Sequence, residues 1–151
     1  MASVFDVAQY ILQELKEVSA LQLQKLVYYC QAWYLAWNEG KPLFKENIEA
    51  WINGPVVREL YNLHQGQRTI SYLPCGSVFN LGQKEKTCID RVLASYKDKG
   101  VLWLVAHSHQ EAPWKNARQD LAASAPSNNI IKINAIYAFY QGKNIEDMTR
   151  N

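Results

Sequence analysis

The sequence is poor in the residues that mark disordered and disulfide-bonded proteins. Only 20% of the 151 residues are charged and 48% are apolar, so the chain can bury a core and is not expected to be disordered. The three cysteines, Cys30, Cys75 and Cys88, are odd in number and lie at no spacing typical of a disulfide framework. We therefore expect reduced thiols, as in a cytoplasmic protein.

A long apolar run and a leader segment are also missing. A membrane-spanning helix needs about 20 consecutive apolar residues, and no stretch of the chain comes near that length. Asp6 and Gln9 interrupt the apolar residues near the start and so break the pattern of a signal peptide. The sequence predicts a soluble, cytoplasmic protein that does not contact a membrane.

Patterns that mark nucleic-acid binding and catalysis are equally scarce. Sixteen basic residues against fourteen acidic ones give a net charge of +2, without the basic stripe of a nucleic-acid-binding protein. The glycines are scattered, so they form no phosphate-binding loop. Neither a nucleophile elbow nor a paired-carboxylate site is present. We expect neither a catalytic site nor a cofactor, and we do not expect nucleic acid to be the partner.

His107, His109 and Glu111 are the only ligand-type residues that lie close together. On a strand the three would share a face and could hold zinc, whereas on a helix the two histidines lie about 200° apart. No cysteine stands at ligand spacing, so we expect no metal. The alternative role is structural, with His109 and Glu111 fixing a loop and Trp114, behind Pro113, anchoring it in the core.

What the chain does have is helical periodicity and many aromatic residues, with five Trp, nine Tyr and four Phe. The length suits one domain over residues 1–151. We predict a compact α+β fold that is mainly α, with a small β-hairpin and a frayed tail at 143–151. The predicted helices lie at residues 4–16, between a cap at Ser19 and a stop at Gly40, from Pro55 to Gly66, and at 85–97, 101–107, 114–123 and 133–140.

Residues 19–64 carry the strongest local signals. Ser19 and Gln22 have the spacing of a capping box, and Leu23, Leu26, Val27, Cys30, Trp33, Tyr34 and Trp37 form one apolar stripe. The change of period after Pro42 predicts a hairpin of residues 42–44 and 48–53 with its turn at 45–47. Pro55 suits the first position of the next helix.

The first two predicted helices, joined by a tight turn, also fit a helix-turn-helix whose second helix reads DNA. That helix has one base, Lys25, which we expect to be exposed, among uncharged glutamines and tyrosines. Ordinary packing of a helical hairpin is favoured over DNA reading. A DNA-binding regulator nevertheless stays open as an alternative function.

Three sequence blocks resemble the Panacea antitoxin domain of SocA-like and phage-associated GepA-like proteins. They are LQKLVYYCQAWYLAWNEGKPLF, IEAWINGPVVRELY and SHQEAPW, in family order, and with the helical segments between them they cover residues 4–140. Two positions depart from the pattern: Arg58 stands where a proline is common, and Ser108 replaces a threonine. The resemblance implies an antitoxin of a bacterial or phage toxin–antitoxin system, which neutralises a cognate protein toxin by direct binding. It also leaves open an adaptor that delivers the toxin to a protease.

The same stretch predicts a surface for the partner. Alternation along the predicted strand places Glu49, Trp51 and Asn53 on the face away from Ile48, and the next helix adds Arg58 and Tyr61. Trp, Tyr and Arg dominate measured interface energies, so we predict that the toxin contacts this surface. The resemblance adds His109 and Glu111 at its border and gives structural roles to five residues: Gly54, Pro55, Val56, Pro113 and Trp114. The competing interpretation is that the helix after Pro55 covers Trp51.

Overall fold

The computed structural model describes residues 1–150 and confirms a mainly α, α+β fold. The elements in chain order are α1 Val4–Leu15, β1 Val18–Ser19, α2 Ala20–Trp37, β2 Ile48–Trp51, β3 Gly54–Val56, α3 Arg58–His64, β4 Thr69–Ile70, a 3-10 turn Val78–Asn80, α4 Gln83–Tyr96, α5 Val101–Gln110, α6 Ala112–Arg118, β5 Ile130–Ile131, α7 Ile133–Tyr140 and α8 Ile145–Met148. Strands β3, β2 and β5 form one antiparallel sheet in that order, and β1 pairs with β4.

Helix α2 is the centre of the molecule. It packs against α1, α4, α5, α7 and β3, and it is buried on nearly every side between Leu23 and Leu35. Helix α2 is therefore buried on more sides than the single apolar stripe in its sequence predicts. Lys25, which we expected to be exposed, is fully buried. A helix covered in this way cannot enter the major groove of DNA, so α2 does not fit the role of a recognition helix.

The predicted helix ends are largely confirmed. Ser3 and Asp6 form a complete capping box on α1. Ser19 caps α2 by accepting a hydrogen bond from the N–H of Gln22 at 3.1 Å. The Gln22 side chain does not return the bond and instead donates to the Lys97 carbonyl at 3.4 Å, so only half of that capping box forms. Gly40 has a φ of 81° and ends α2 as expected.

The hairpin exists, but its predicted turn at 45–47 is wrong. The strands are β2 and β3, which pair Ala50 with Pro55 and Trp51 with Gly54, so the turn is residues 52–53. Gly54 has a φ of 109°, a value that favours glycine and permits this tight reversal. Pro55 consequently lies in an edge strand, where its missing N–H breaks no ladder, and it does not begin α3 as predicted.

Two buried glutamines on α2 bind the backbone of segments that cross this helix outside the sheet, and one of these segments is residues 42–44. Gln31 accepts hydrogen bonds from the N–H groups of Leu43 at 2.7 Å and Phe44 at 3.4 Å, and it donates to the Phe44 carbonyl at 2.8 Å. Seven residues earlier, Gln24 does the same for Val57, accepting at 2.9 Å and donating at 3.3 Å. Each side-chain amide therefore satisfies backbone groups that would otherwise be buried without partners.

Two further predictions need correction near the end of the chain. Helix α6 begins at Ala112 and ends at Arg118, so Pro113 lies in its first turn rather than before it, and the helix is shorter than the predicted 114–123. Within the predicted frayed tail, Ile145–Met148 form α8, and Ile145 is buried against the core. The last residue of that predicted tail, position 151, lies outside the described residues.

We expect Gln31→Leu to destabilise the protein strongly, although leucine is more apolar than glutamine. The variant removes the partners of three backbone groups at Leu43 and Phe44, and each unsatisfied buried group costs about 1–3 kcal/mol. Urea unfolding would measure the loss. Gln13→Leu on the exposed face of α1 is the control and should change stability by at most about 0.5 kcal/mol. Equal effects of the two variants would contradict this account of Gln31.

Candidate partner-binding site

Four of the predicted surface residues, Glu49, Trp51, Arg58 and Tyr61, form one connected cluster on the outer face of the hairpin and α3, and the exposed Asn53 lies in the hairpin turn. The guanidinium of Arg58 holds the Glu49 carboxylate through Nε, at 3.1 Å, and through Nη2, at 3.0 Å. The indole Nε1 of Trp51 donates to the same carboxylate at 2.9 Å, and the Arg58 guanidinium carbon lies 5.0 Å from the Trp51 ring centroid. Tyr61 meets Trp51 edge to face with 4.9 Å between centroids. We call Glu49, Trp51, Asn53, Arg58 and Tyr61 the hairpin surface.

The exposure of Trp51 is intermediate between that of a fully exposed partner contact and that of a side chain covered by the helix after Pro55. Trp51 and Tyr61 are half-buried because they cover one another, whereas Arg58 and Asn53 are exposed. The strand residues alternate as predicted, with Ile48 and Ala50 buried and Glu49 and Trp51 half-buried. Ile52 departs from this pattern and is exposed, because it lies in the turn and no longer in the strand.

Beside the hairpin surface lies a cleft of about 390 Å³. It is bounded by the N-terminus of α2, the turn of the hairpin, α3 and the loop at 126–127. Three members of the hairpin surface, Trp51, Asn53 and Tyr61, line it. The volume falls in the range of sites that bind small molecules or single side chains.

Four side chains contact the backbone of the hairpin from below, and Arg118, Trp114 and Lys25 do so through hydrogen bonds. The contacts are Arg118 Nη1 to the Ala50 carbonyl at 3.2 Å, Trp114 Nε1 to the Trp51 carbonyl at 2.8 Å, His109 to the backbone of Ile52, and Lys25 Nζ to the Pro55 carbonyl at 3.1 Å. The hydrogen-bond donors come from α2 and α6, and His109 adds a contact from α5. We call these four residues the hairpin clamp.

Trp114 has the buried anchoring position that the sequence predicted. Its side chain is 5% exposed and stacks on the His109 ring with 4.1 Å between centroids. The Arg118 guanidinium carbon lies 4.8 Å from the centroid of the same indole. Pro113 is buried beside it. His109 is half-buried and packs on Trp114 beneath the hairpin, and its contact with a partner stays a prediction.

Lys25 is a buried lysine without a carboxylate beside it. Burial lowers the pKa of its ammonium to about 7. The Pro55 carbonyl accepts its hydrogen bond, and a Cβ added at Gly54 would come within 2.7 Å of Lys25 Cε and of Ser108 Oγ. The absence of a side chain at Gly54 is thus what lets the hairpin lie against α2 and α5.

Glu111 lies in the interior, so its predicted role as a partner contact does not fit its position. It is 7% exposed and accepts hydrogen bonds from Tyr28, Tyr29 and Tyr140. Burial raises the pKa of the Glu111 carboxyl to about 7, against the opposing effect of the tyrosine hydrogen bonds. It fixes the α5–α6 junction, as the structural alternative predicted, and does so through tyrosine hydroxyls.

The histidine–glutamate group does not converge on one point. His107 and His109 both lie on helix α5, where His107 stacks on Trp103 with 3.5 Å between centroids and His109 stacks on Trp114. Glu111 points instead toward the tyrosines of α2 and α7. Within residues 1–150 no three ligand-type side chains lie close enough together to hold a metal ion.

Comparison with known families identifies the chain. The family described as antitoxin SocA-like, Panacea domain, matches residues 23–115. The chain belongs to this family. No curated protein and no solved structure matches it. In the part of the chain that the structure describes, no helix is long and apolar enough to cross a membrane.

The Panacea match contains the hairpin surface and most, but not all, of the hairpin clamp. Lys25, His109 and Trp114 lie inside residues 23–115, whereas Arg118 follows them. Arg118 is 2% exposed and also donates to the carbonyls of Ala122 and Ala125, which ties the next loop to the sheet. Sequence reasoning missed Arg118 because a single arginine near the end of a predicted surface helix carries no signal of burial.

Sequence reasoning also missed the roles of Gln24, Lys25 and Gln31 in this Panacea domain. A signal existed, since all three stand on a helix whose remaining residues at 23–33 are apolar or aromatic. A polar side chain in such a helix must find a buried partner. The sequence could not indicate that the partners are backbone groups of the segments that cross α2.

We expect Lys25→Met to stabilise the protein at neutral and lower pH, by an amount on the order of 3 kcal/mol. The unfolded chain keeps the lysine proton up to about pH 10.5, whereas the folded chain releases it near pH 7. Below pH 7 the folded state must bury the charge, and that cost disappears as pH rises from 7 toward 10.5. The advantage of the variant should therefore shrink between about pH 6.5 and about pH 9.5.

Chemical denaturation of parent and variant at both pH values would test this. Burial also lowers the pKa of His109, which lies under the hairpin, and this group is present in both parent and variant. Lys84→Met, at an exposed position of α4, is the matched control and should show no such trend. A difference between Lys25→Met and parent that is constant with pH would show that the buried amine is not responsible.

Proposed function

We propose that this protein is the antitoxin of a toxin–antitoxin system and that it neutralises a protein toxin by binding it directly through the hairpin surface. The membership of the chain in the SocA-like antitoxin family supports an antitoxin role. The observation that carries the choice of surface is the connected cluster of Glu49, Trp51, Arg58 and Tyr61. Such a toxin and antitoxin would meet in the cytoplasm.

The composition of the hairpin surface supports a role in protein binding. An arginine stacked on a tryptophan, with a tyrosine against the same indole, combines the three residue types that most often dominate interface energies. Arg58 and Trp51 already hold one another and Glu49 in place, so they lose little side-chain entropy when a partner binds. The hairpin clamp adds rigidity, because three of its members fix the backbone under these side chains by hydrogen bonds.

We also propose that the chain acts as one domain. One hydrophobic core contains buried residues from Ala2 near the start to Ile145 in α8. The regions outside the family match contribute to that core through α1 and α7. The toxin surface would therefore depend on segments well beyond the hairpin itself for its stability.

Two other functions have less support. A DNA-binding regulator would need an exposed reading helix, and α2 is covered on nearly all sides. Delivery of the toxin to a protease is compatible with the same toxin-binding surface, since an adaptor must first bind its cargo. We therefore treat binding of the toxin as the primary activity.

Arg58→Glu should abolish protection from the co-expressed toxin and leave the melting temperature close to that of the parent. Arg58 is 47% exposed and its loss leaves no cavity, so the fold should tolerate the change. The reversal places a negative charge on the hairpin surface beside Glu49. Growth during toxin expression and a thermal melt of the purified variant would measure the two effects.

Two variants separate a contact with the toxin from a structural role of the ion pair. The exchange Glu49→Arg with Arg58→Glu restores opposite charges at the same positions, so the melting temperature should stay close to that of the parent while protection stays lost. Arg150→Glu removes an arginine from another exposed ion pair, with Asp147 at 2.8 Å, and should keep protection. Full protection by Arg58→Glu, or rescue of protection by the exchange, would contradict the proposed surface.

A further inference from the structure

The sheet of β3, β2 and β5 has two outer edges, and the edge at β3 is closed by side chains of α2. Pro55 has no N–H, and its carbonyl accepts the hydrogen bond from Lys25 Nζ at 3.1 Å. The N–H and the carbonyl of Val57, just beyond β3, are both bound by the Gln24 side chain. The outward-facing backbone groups at Pro55 and Val57 therefore have partners within the chain.

The edge at β5 is open by contrast. The N–H of Ala50 donates to the Asn129 carbonyl at 2.8 Å, and Ile48 pairs with Ile131. The backbone groups of successive residues in a strand point to alternate sides, so the groups that face β2 belong to Asn129 and Ile131. The N–H and the carbonyl of Ile130 point away from β2, and within residues 1–150 neither has a hydrogen-bond partner.

Lys132 adds one more donor to this open edge. It follows β5 in an extended conformation, with a φ of −71° and a ψ of 141°, so its N–H points the same way as that of Ile130, two residues earlier. Its carbonyl accepts from N–H groups of α7, whereas its own N–H has no partner in the described part of the chain. The edge of β5 thus presents a donor and an acceptor at Ile130 and a second donor at Lys132, which is the pattern that an added strand requires.

Two grooves meet at the open edge, and both are lined by Ile130 and Lys132. The first, of about 370 Å³, lies against the segment before β2 and includes the exposed Ile133 of α7. The second, of about 560 Å³, lies against α6 and includes the exposed side-chain amides of Asn116 and Gln119. Because no residue of β2 lines the second groove, it lies on the side of β5 away from β2. The edge therefore has free space beside it.

The open edge is continuous with the hairpin surface. Ile130 stands directly opposite Glu49 in the register of β5 and β2, so the two side chains share the outer face of the sheet. Ile130 is 49% exposed there, beside the carboxylate that Arg58 holds. Among residues 1–150 the second groove is lined by one charged side chain, that of Lys132, so it fits an acidic or neutral segment better than a basic one.

We propose that an extended segment of the toxin adds to β5 as a fourth strand of this sheet. This inference rests on the proposed function and states how the toxin is held beside the hairpin surface. The backbone of the segment bonds to Ile130 and Lys132, and this pairing supplies affinity whatever the side chains are. Successive side chains of a strand point to opposite faces, so apolar residues of the segment face Ile130 and Ile133 and the alternate polar residues face the amides of the second groove.

The test adds the peptide Ac-Thr-Val-Glu-Val-Thr-NH2 to the isotope-labelled full-length protein and follows its amide signals by NMR. We expect shifts at Ile130 and Lys132 and slower exchange of these two amide hydrogens with solvent, since both gain an acceptor. The same peptide with every backbone nitrogen methylated keeps its side chains but loses its donors, and it should bind at least about tenfold more weakly. Equal binding of the two peptides, or unchanged signals at Ile130, would overturn the proposal.

Two substitutions at one position separate the backbone from the side chain. Ile130→Pro removes the outward N–H but no bond to β2, and proline is tolerated on the outer side of an edge strand. It should weaken the peptide at least about tenfold and abolish protection from the co-expressed toxin, with a melting temperature close to that of the parent. Ile130→Thr keeps both backbone groups and should bind the peptide within about threefold of the parent. Equal losses in the two variants would refute strand addition, and the methylated peptide decides the question on the parent protein if Ile130→Pro melts early.

The two proposals fail in different ways. If Arg58→Glu abolishes protection but Ile130→Pro does not, the toxin binds the hairpin surface and adds no strand. If Ile130→Pro abolishes protection but Arg58→Glu does not, the toxin pairs with β5 and the proposed contact at the hairpin surface is wrong. Slow exchange at Ile130 in the protein alone, increasing with protein concentration, would show that a second copy of the chain occupies the edge and would overturn the toxin as its occupant.

Discussion

The fold depends on hydrogen bonds that buried side chains make with the backbone of irregular segments. Gln24, Lys25 and Gln31 project from the central helix and meet, respectively, Val57, Pro55 and the pair Leu43–Phe44. A short sheet of two- to four-residue strands cannot satisfy the backbone of everything that crosses the core. The helix supplies the missing donors and acceptors, and in doing so it sets where each crossing segment lies.

This arrangement explains how a small hairpin can present a rigid surface. An isolated two-stranded hairpin is marginally stable in water. Here Arg118, Trp114 and Lys25 donate to the carbonyls of Ala50, Trp51 and Pro55 along its inner side, while Arg58 and Glu49 link the outer side to α3. The outer side chains can then be selected for contact with a partner, since the inner ones already hold the backbone.

The sequence was most informative where one local rule acts alone. The cap at Ser19, the stop at Gly40 and the alternation of Ile48 and Ala50 with Glu49 and Trp51 depend on near neighbours, and the structure has all of them. The hairpin turn was misplaced because Lys45-Glu46-Asn47 looks like a turn in isolation. Gln31 and the N–H of Val4, which donates to Glu46, hold that segment in another way. The cleft could not be predicted, because its walls come from residues as far apart as Ala20 and Ser127.

Lys25 and Glu111 together determine how folding exchanges protons with water. Near pH 7 about half of the folded molecules have released the Lys25 proton, which the unfolded form keeps. About half of them have bound a proton at Glu111, which the unfolded form lacks. The two exchanges nearly cancel, so the slope of stability against pH from this pair is close to zero there. Below pH 7 the Glu111 contribution makes the fold more stable as pH falls toward 4.5, and above pH 7 the Lys25 contribution makes it more stable as pH rises toward 10.5. Taken by themselves, these two buried groups therefore make the fold least stable near neutral pH.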